Sequence, residues 1–132
     1  MNNHHKWRAA VAERLAGADT QAALTFIRAF VATLPGTSEQ LCYGTPGFYV
    51  GKKYFSRLRE DCKTLVIHTR EREKWFEKDP ETYFVTDHYR DYDYMLVNLD
   101  TVDPEELKGL ILTAWRNRAP AKLVKEYEAK QV

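Results

Sequence analysis

Apolar positions recur along this chain with two periods, and the change from one to the other organises it. Near the start, Trp7, Val11 and Leu15 stand four residues apart, which predicts a short amphipathic helix over 4–16, ended by Gly17. Asp19 or Thr20 can cap a second helix. In it Ala23, Ile27, Phe30, Val31 and Leu34 repeat at helical spacing until Pro35-Gly36 breaks the run. The period then shortens. Residues 48–50, 54–58 and 64–68 read as three short strands, joined by turns at 51–53 and 60–63, an antiparallel meander.

Helical spacing returns over 70–78, a polar stretch holding Trp75 and Phe76. Asp79-Pro80 closes it, because a residue before proline avoids the helical region. Residues 83–86 read as a fourth strand, 87–91 as a polar loop and 92–99 as a fifth strand. Asp103-Pro104-Glu105-Glu106 is a helix start, with an aspartate N-cap, proline at the first helical position and glutamate at the third. Leu107, Leu110, Ile111, Ala114 and Trp115 line one face of that helix up to Ala119-Pro120. Leu123, Val124 and Tyr127 suggest a last short helix. With no internal repeat, low-complexity segment or linker, residues 1–132 read as one α+β domain. Its expected architecture is an antiparallel sheet of about five strands flanked by N-terminal and C-terminal helices.

Composition narrows this little. Hydrophobic residues at 44% and charged residues at 30% suit a folded chain and exclude a disordered one. A formal charge of +1 means that any polyanion site must be a local patch. The 13% aromatic content suits a core and its edges first, and a cleft or contact surface second. No apolar run approaches the roughly 20 residues that span a bilayer. Cys42 and Cys62 form no CxxC pair and no secretory leader precedes the domain, so the expectation is a cytoplasmic protein with reduced thiols.

Catalytic signatures are missing from the sequence. His68, His88 and Asp87 could be written as metal ligands but lack ligand spacing, so no metal or other cofactor is expected. Cys42 has no nucleophile signature around it. Asp87, Asp91 and Asp93 read as a solvated loop and strand edge rather than an acid–base pair. The expectation is a protein that is not an enzyme. Charge placement says more. Between Gly51 and Lys63 lie five basic residues, Lys52, Lys53, Arg57, Arg59 and Lys63, against Glu60 and Asp61. Alternation places Arg57 and Arg59 on one face with Phe55, with the lysines in the turns at either end. Such a hairpin could lie on a phosphate backbone as a wing, or could be an edge strand guarded by its charges. A second basic group, Arg116, Arg118, Lys122 and Lys125, lies toward the end of the chain.

The motifs in their order resemble the MmcQ/YjbR-like family of small bacterial proteins. The resemblance is carried by LPGTSEQLCYGTPGFYVGKKYFSRL, the helix ending in Lys78-Asp79-Pro80-Glu81, the His88-Tyr89 loop, VNLD at 97–100 and DPEELKGLILTAW. It covers most of the chain, roughly 22–127. It implies an α+β fold grouped with the CyaY/frataxin-like and secretion-chaperone-like folds. It also implies DNA binding through strand-loop-strand wings, here Lys52 and Lys53 in the first turn with Arg57 and Arg59 on the next strand. Iron delivery is not carried over, because the first two helices hold only Glu13 and Asp19 and no acidic ridge. The alternative is a protein- or peptide-binding adaptor using the aromatics Tyr43, Phe48, Tyr49, Tyr89 and Tyr92. The partners in view are therefore DNA or a protein, and not a membrane.

Overall fold

The structure, a computed structural model, describes residues 18–131, so the helix expected over 4–16 lies outside the described residues. Four helices and six strands follow in the order α1 (Ala18–Val31), β1 (Thr37–Cys42), β2 (Thr45–Val50), β3 (Lys53–Leu58), β4 (Thr64–His68), α2 (Arg72–Lys78), β5 (Tyr83–Phe84), β6 (Tyr94–Asn98), α3 (Pro104–Arg118) and α4 (Ala121–Lys130). The strands form a single antiparallel sheet in the order β1-β2-β3-β4-β6-β5. The α+β class and the meander stand as read from the sequence.

The sixth strand is β1, beyond the five expected. Its residues, Thr-Ser-Glu-Gln-Leu-Cys, offer no apolar alternation, and most of them are exposed. What makes the strand is the turn that follows. Tyr43 and Gly44 both have positive φ, 55° and 83°, the pattern of a two-residue type I′ hairpin whose twist matches that of its strands. The turn folds β1 back along β2, pairing Cys42 with Thr45. At Gly47 the approach is so close that a Cβ would stand 2.6 Å from that of Cys42. The strands at 45–50 and 53–58 run longer than expected, whereas the last two are shorter. The fourth is only Tyr83–Phe84, the next begins at Tyr94, and the loop between holds a 3-10 turn, Asp87–Tyr89.

One face of the sheet carries the helices. Ile27 and Val31 of α1 and Leu107, Ile111, Ala114 and Trp115 of α3 pack on Phe48, Phe55, Leu65, Ile67, Met95 and Val97. Full burial of such side chains is worth about 1.5–3 kcal/mol each. Trp115 is buried and donates its indole N–H to the Pro35 carbonyl at 3.1 Å, tying α3 to the turn after α1. The expected cap of α3 is present: the Asp103 carboxylate accepts the Glu106 backbone N–H at 3.1 Å, with Pro104 in the first turn. The other face holds Val66, Tyr89, Tyr94 and Leu96, with Tyr54, Phe84 and Val85 packed against them.

A bulge in β3 decides which side chains reach that second face. Phe48 pairs with Ser56 and the next residue, Tyr49, pairs with Tyr54, which leaves Phe55 as an extra residue. Phe55 therefore joins the helix-side core, whereas Tyr54 and Arg57 lie on the opposite side. Strict alternation would have kept Phe55 and Arg57 together.

Two glycines test these placements. Gly47→Ala forces a methyl against Cys42 and the Gln40 carbonyl, and should cost about 1–3 kcal/mol in a urea titration. Gly109 sits in α3 with nothing near its missing Cβ, so Gly109→Ala should gain about 0.5–1 kcal/mol in the same measurement.

Candidate nucleic-acid interface

The five cations expected to form one wing are divided by the fold. Lys52 lies in the turn between β2 and β3 and Lys53 opens β3, whereas Arg59 and Lys63 flank the turn between β3 and β4. These turns lie at opposite ends of β3, about 20 Å apart for a six-residue strand. Arg57 lies between them and is turned inward, with its side chain only 7% exposed. The reading that placed it on a continuous basic face with Phe55 is corrected by the bulge.

Arg57 is enclosed by its own network. Its Nε and Nη2 donate to the Tyr89 hydroxyl at 3.3 and 3.2 Å. Its Nη1 donates to Thr45 Oγ1 at 3.1 Å, the Leu58 carbonyl at 3.3 Å and Glu60 Oε1 at 3.2 Å. The Tyr43 ring lies over the guanidinium, 5.1 Å from Cζ to the ring centroid. Burial works against the Arg57 charge, and the bonds to Tyr89 and Glu60 outweigh it, holding the group above its ordinary pKa.

A second arginine, Arg72 at the start of α2, holds the segment that delivers Tyr89. Its Nη1 donates to the carbonyls of Tyr89, Tyr92 and Tyr94 at 3.0, 2.8 and 2.9 Å, and its Nη2 to that of Arg90. The planar fork of a guanidinium suits this work, and an ammonium could not reach four acceptors. Sequence reasoning missed Arg72 because it looks like one more charge on a polar helix.

At the Lys52 end the polar groups form a second cluster. His68, the last residue of β4, is 3% exposed, and its Nδ1 lies 3.2 Å from Asn117 Nδ2 at the end of α3. Desolvation and the nearby Arg118 and Arg70 charges push His68 down to about 4, with Asp93 opposing them weakly. Asp93 itself pairs with Arg70 at 3.7 Å. The Nε of Arg118 is buried and has no hydrogen-bond partner among the described residues. This end also takes the start of α4, because the Gly51 N–H bonds the Gly36 carbonyl at 3.4 Å and Leu123 packs on Gly36. Lys52 and Lys53 thus share one end of the sheet with Arg118 and Lys122. None of the three lysines makes an ion pair among the described residues. Arg116 is drawn toward Glu128 at 3.6 Å.

The candidate aromatics also separate. Phe48 lies in the helix-side core and Tyr89 is buried on the opposite face, so neither is available to a partner. Tyr49 is half-buried, and the neighbouring Cys42 thiol together with burial pushes its hydroxyl up to about 12. It begins a row in which Tyr49 meets Tyr54 edge-on at 6.2 Å and Tyr54 stacks on Tyr94 at 5.2 Å. Tyr43 and Tyr92 are 78% and 61% exposed. Both cysteines are free, Cys42 buried and Cys62 exposed. Among the described residues no helix is long and apolar enough to cross a membrane, and no three His, Cys, Asp or Glu side chains converge on a metal-binding geometry.

A six-stranded antiparallel sheet with helices on one face and an arginine-centred network on the other defines a class of small α+β proteins. The model of the YjbR family matches residues 32–117, and the chain belongs to that family. Among solved structures it is similar to the crystal structure of the Deinococcus radiodurans protein DR2400, a domain of the DUF419 family model. The TM-score is 0.63 at 18% identity, covering 80% of this chain and 87% of that one. That likeness shows the fold. No curated protein matches the sequence.

Two measurements check the site. Tyr89→Phe removes the acceptor of two guanidinium N–H groups and should cost about 1–3 kcal/mol in a urea titration, whereas Lys52→Ala should stay within about 0.5 kcal/mol of the parent. His68 is held below its unfolded value, so folding favours its neutral form. Stability should be fully present above about pH 6.5 and fall as pH drops toward 4, a loss of roughly 2–3 kcal/mol through this residue. His68→Asn should remove that part of the pH slope in melts between pH 7 and about 4.

Proposed function

We propose that the protein binds DNA through the basic end of its sheet, where Lys52 and Lys53 meet Arg118 and Lys122. The observation that carries this reading is the meeting of two basic groups, distant in sequence, at one end of the fold. It is supported by the ion pairs around them. Asp93 is drawn to Arg70 and Glu128 to Arg116, so these carboxylates do not neutralise the lysines.

This differs from a wing running along β3. Contact is made by a turn and a helix junction, with the strand between Lys53 and Arg59 standing away from the phosphates. Lysines and an arginine at a turn and a helix junction suit contacts to the phosphate backbone, so binding is largely indifferent to sequence. Neutralising about four phosphates releases condensed counterions and gives a slope of log K against log salt near −3.6 for duplex DNA. Affinity should then fall on the order of 100-fold between about 50 and about 200 mM salt.

Fluorescence anisotropy with a labelled duplex, read across salt concentrations, tests this. Lys52→Ala with Lys53→Ala should reduce the slope by about two, whereas Arg59→Ala with Lys63→Ala should leave it unchanged. Binding that ignores salt, or that responds equally to both pairs, rules the proposed surface out.

A further inference from the structure

We infer that β1 is a self-docking edge, pairing antiparallel with β1 of a second copy about a two-fold axis at Gln40. The strand has the properties that guarded edges avoid. It runs six residues without proline, lysine or bulge, among the described residues it pairs only with β2, and its Leu41 is 77% exposed.

The hairpin turn fixes which backbone groups are free. Cys42 and Thr45 flank a two-residue turn and so exchange hydrogen bonds, which directs Gln40 and Ser38 toward β2 as well. Thr37, Glu39 and Leu41 therefore present their N–H and C=O groups outward. Pro46 opposite Leu41 agrees with this, since that pair needs no N–H from β2.

Cross-strand partners must share a face of the sheet, which leaves few registers. Centring on Glu39 sets two carboxylates against each other. Centring on Ser38 leaves Leu41 outside the paired strands. Centring on Gln40 sets Glu39 of one copy opposite Leu41 of the second, and the two then exchange N–H···O bonds on both sides of the axis. The Gln40 amides face each other across it.

Charge and shape both suit this register. Glu39, the one carboxylate of the strand, already takes the Arg28 Nε and Nη2 at 2.8 and 2.7 Å, so no carboxylate is left to repel the second copy. Beside β1 on the helix side is a hollow of about 210 Å³ lined by Arg28, Val31, Thr37, Glu39 and Phe48. Leu41 of the second copy enters the sheet next to Glu39 on that same side. Knob and hollow lie on one edge of one chain, which is the self-complementarity a two-fold interface needs.

Light scattering of the full chain over a concentration series, with cross-linking, tests the pairing. The chain should show a concentration-dependent dimer, and Leu41→Lys should shift it to monomer with an unchanged far-ultraviolet spectrum. In a Cys62→Ser background, Gln40→Cys should give a disulfide-linked dimer under mild oxidation, because the two Cα atoms face each other in a non-hydrogen-bonded pair. Adding Leu41→Lys to that variant should abolish the cross-link. A chain that stays monomeric throughout, or a dimer in which Gln40→Cys does not cross-link, overturns the inference. So does a dimer that is indifferent to Leu41→Lys.

Discussion

The guanidinium of Arg57 is the group around which the second face of the sheet is built. An ionised side chain taken out of water costs several kcal/mol unless its donors are met, and here they are met by residues far apart in sequence. Tyr89 comes from the segment before β6, Thr45 from the start of β2 and Tyr43 from the hairpin turn. The arrangement holds only if the segment carrying Tyr89 stays in place. Arg72 does that by engaging four carbonyls of residues 89–94. One arginine therefore organises the face, and another organises the segment laid on it.

That use of Arg57 separates structural charge from surface charge. The hairpin between Gly51 and Lys63 looks uniformly basic in the sequence, yet its central cation belongs to the interior. The remaining ones sort by turn. Arg59 and Lys63 lie near Glu60 and Asp61, and the Asp61 carboxylate, despite its partial burial, is held low by the N–H groups of Lys63 and Thr64 and the Thr64 hydroxyl. Lys52 and Lys53 have no such company. Their neighbours come instead from the α3–α4 junction, nearly seventy residues further along. A polyanion surface on this fold is assembled across the chain rather than along one ribbon.

Much of the architecture was legible because it rests on local signals. The apolar stripe of α1, the cap of α3 at Asp103 and the three-strand meander each come from spacing or turn chemistry, and each is present. The losses have physical causes. Strand β1 has no apolar alternation, because it is an edge formed by the Tyr43-Gly44 turn and by pairing with β2. A tyrosine in the left-handed region is an uncommon turn signal, and its stacking over Arg57 helps offset the strain. The roles of Arg57 and Arg72 depend on partners about thirty and twenty residues away. No window of sequence exposes such pairings, so Arg57 was grouped with its neighbours by sign, and Arg72 was passed over.

The extra residue at Phe55 has a bearing on how related chains should be compared. A chain one residue shorter in this strand would carry no bulge. The residues on either side would keep their faces, because Tyr54 and Arg57 already share one across the bulge, and the helix-side core would lose one inward side chain there. Alignments that slide a gap freely through 53–58 would equate positions that are not equivalent in space. The length of this strand, more than the identity of any residue in it, is the character to hold fixed when homologous positions are assigned.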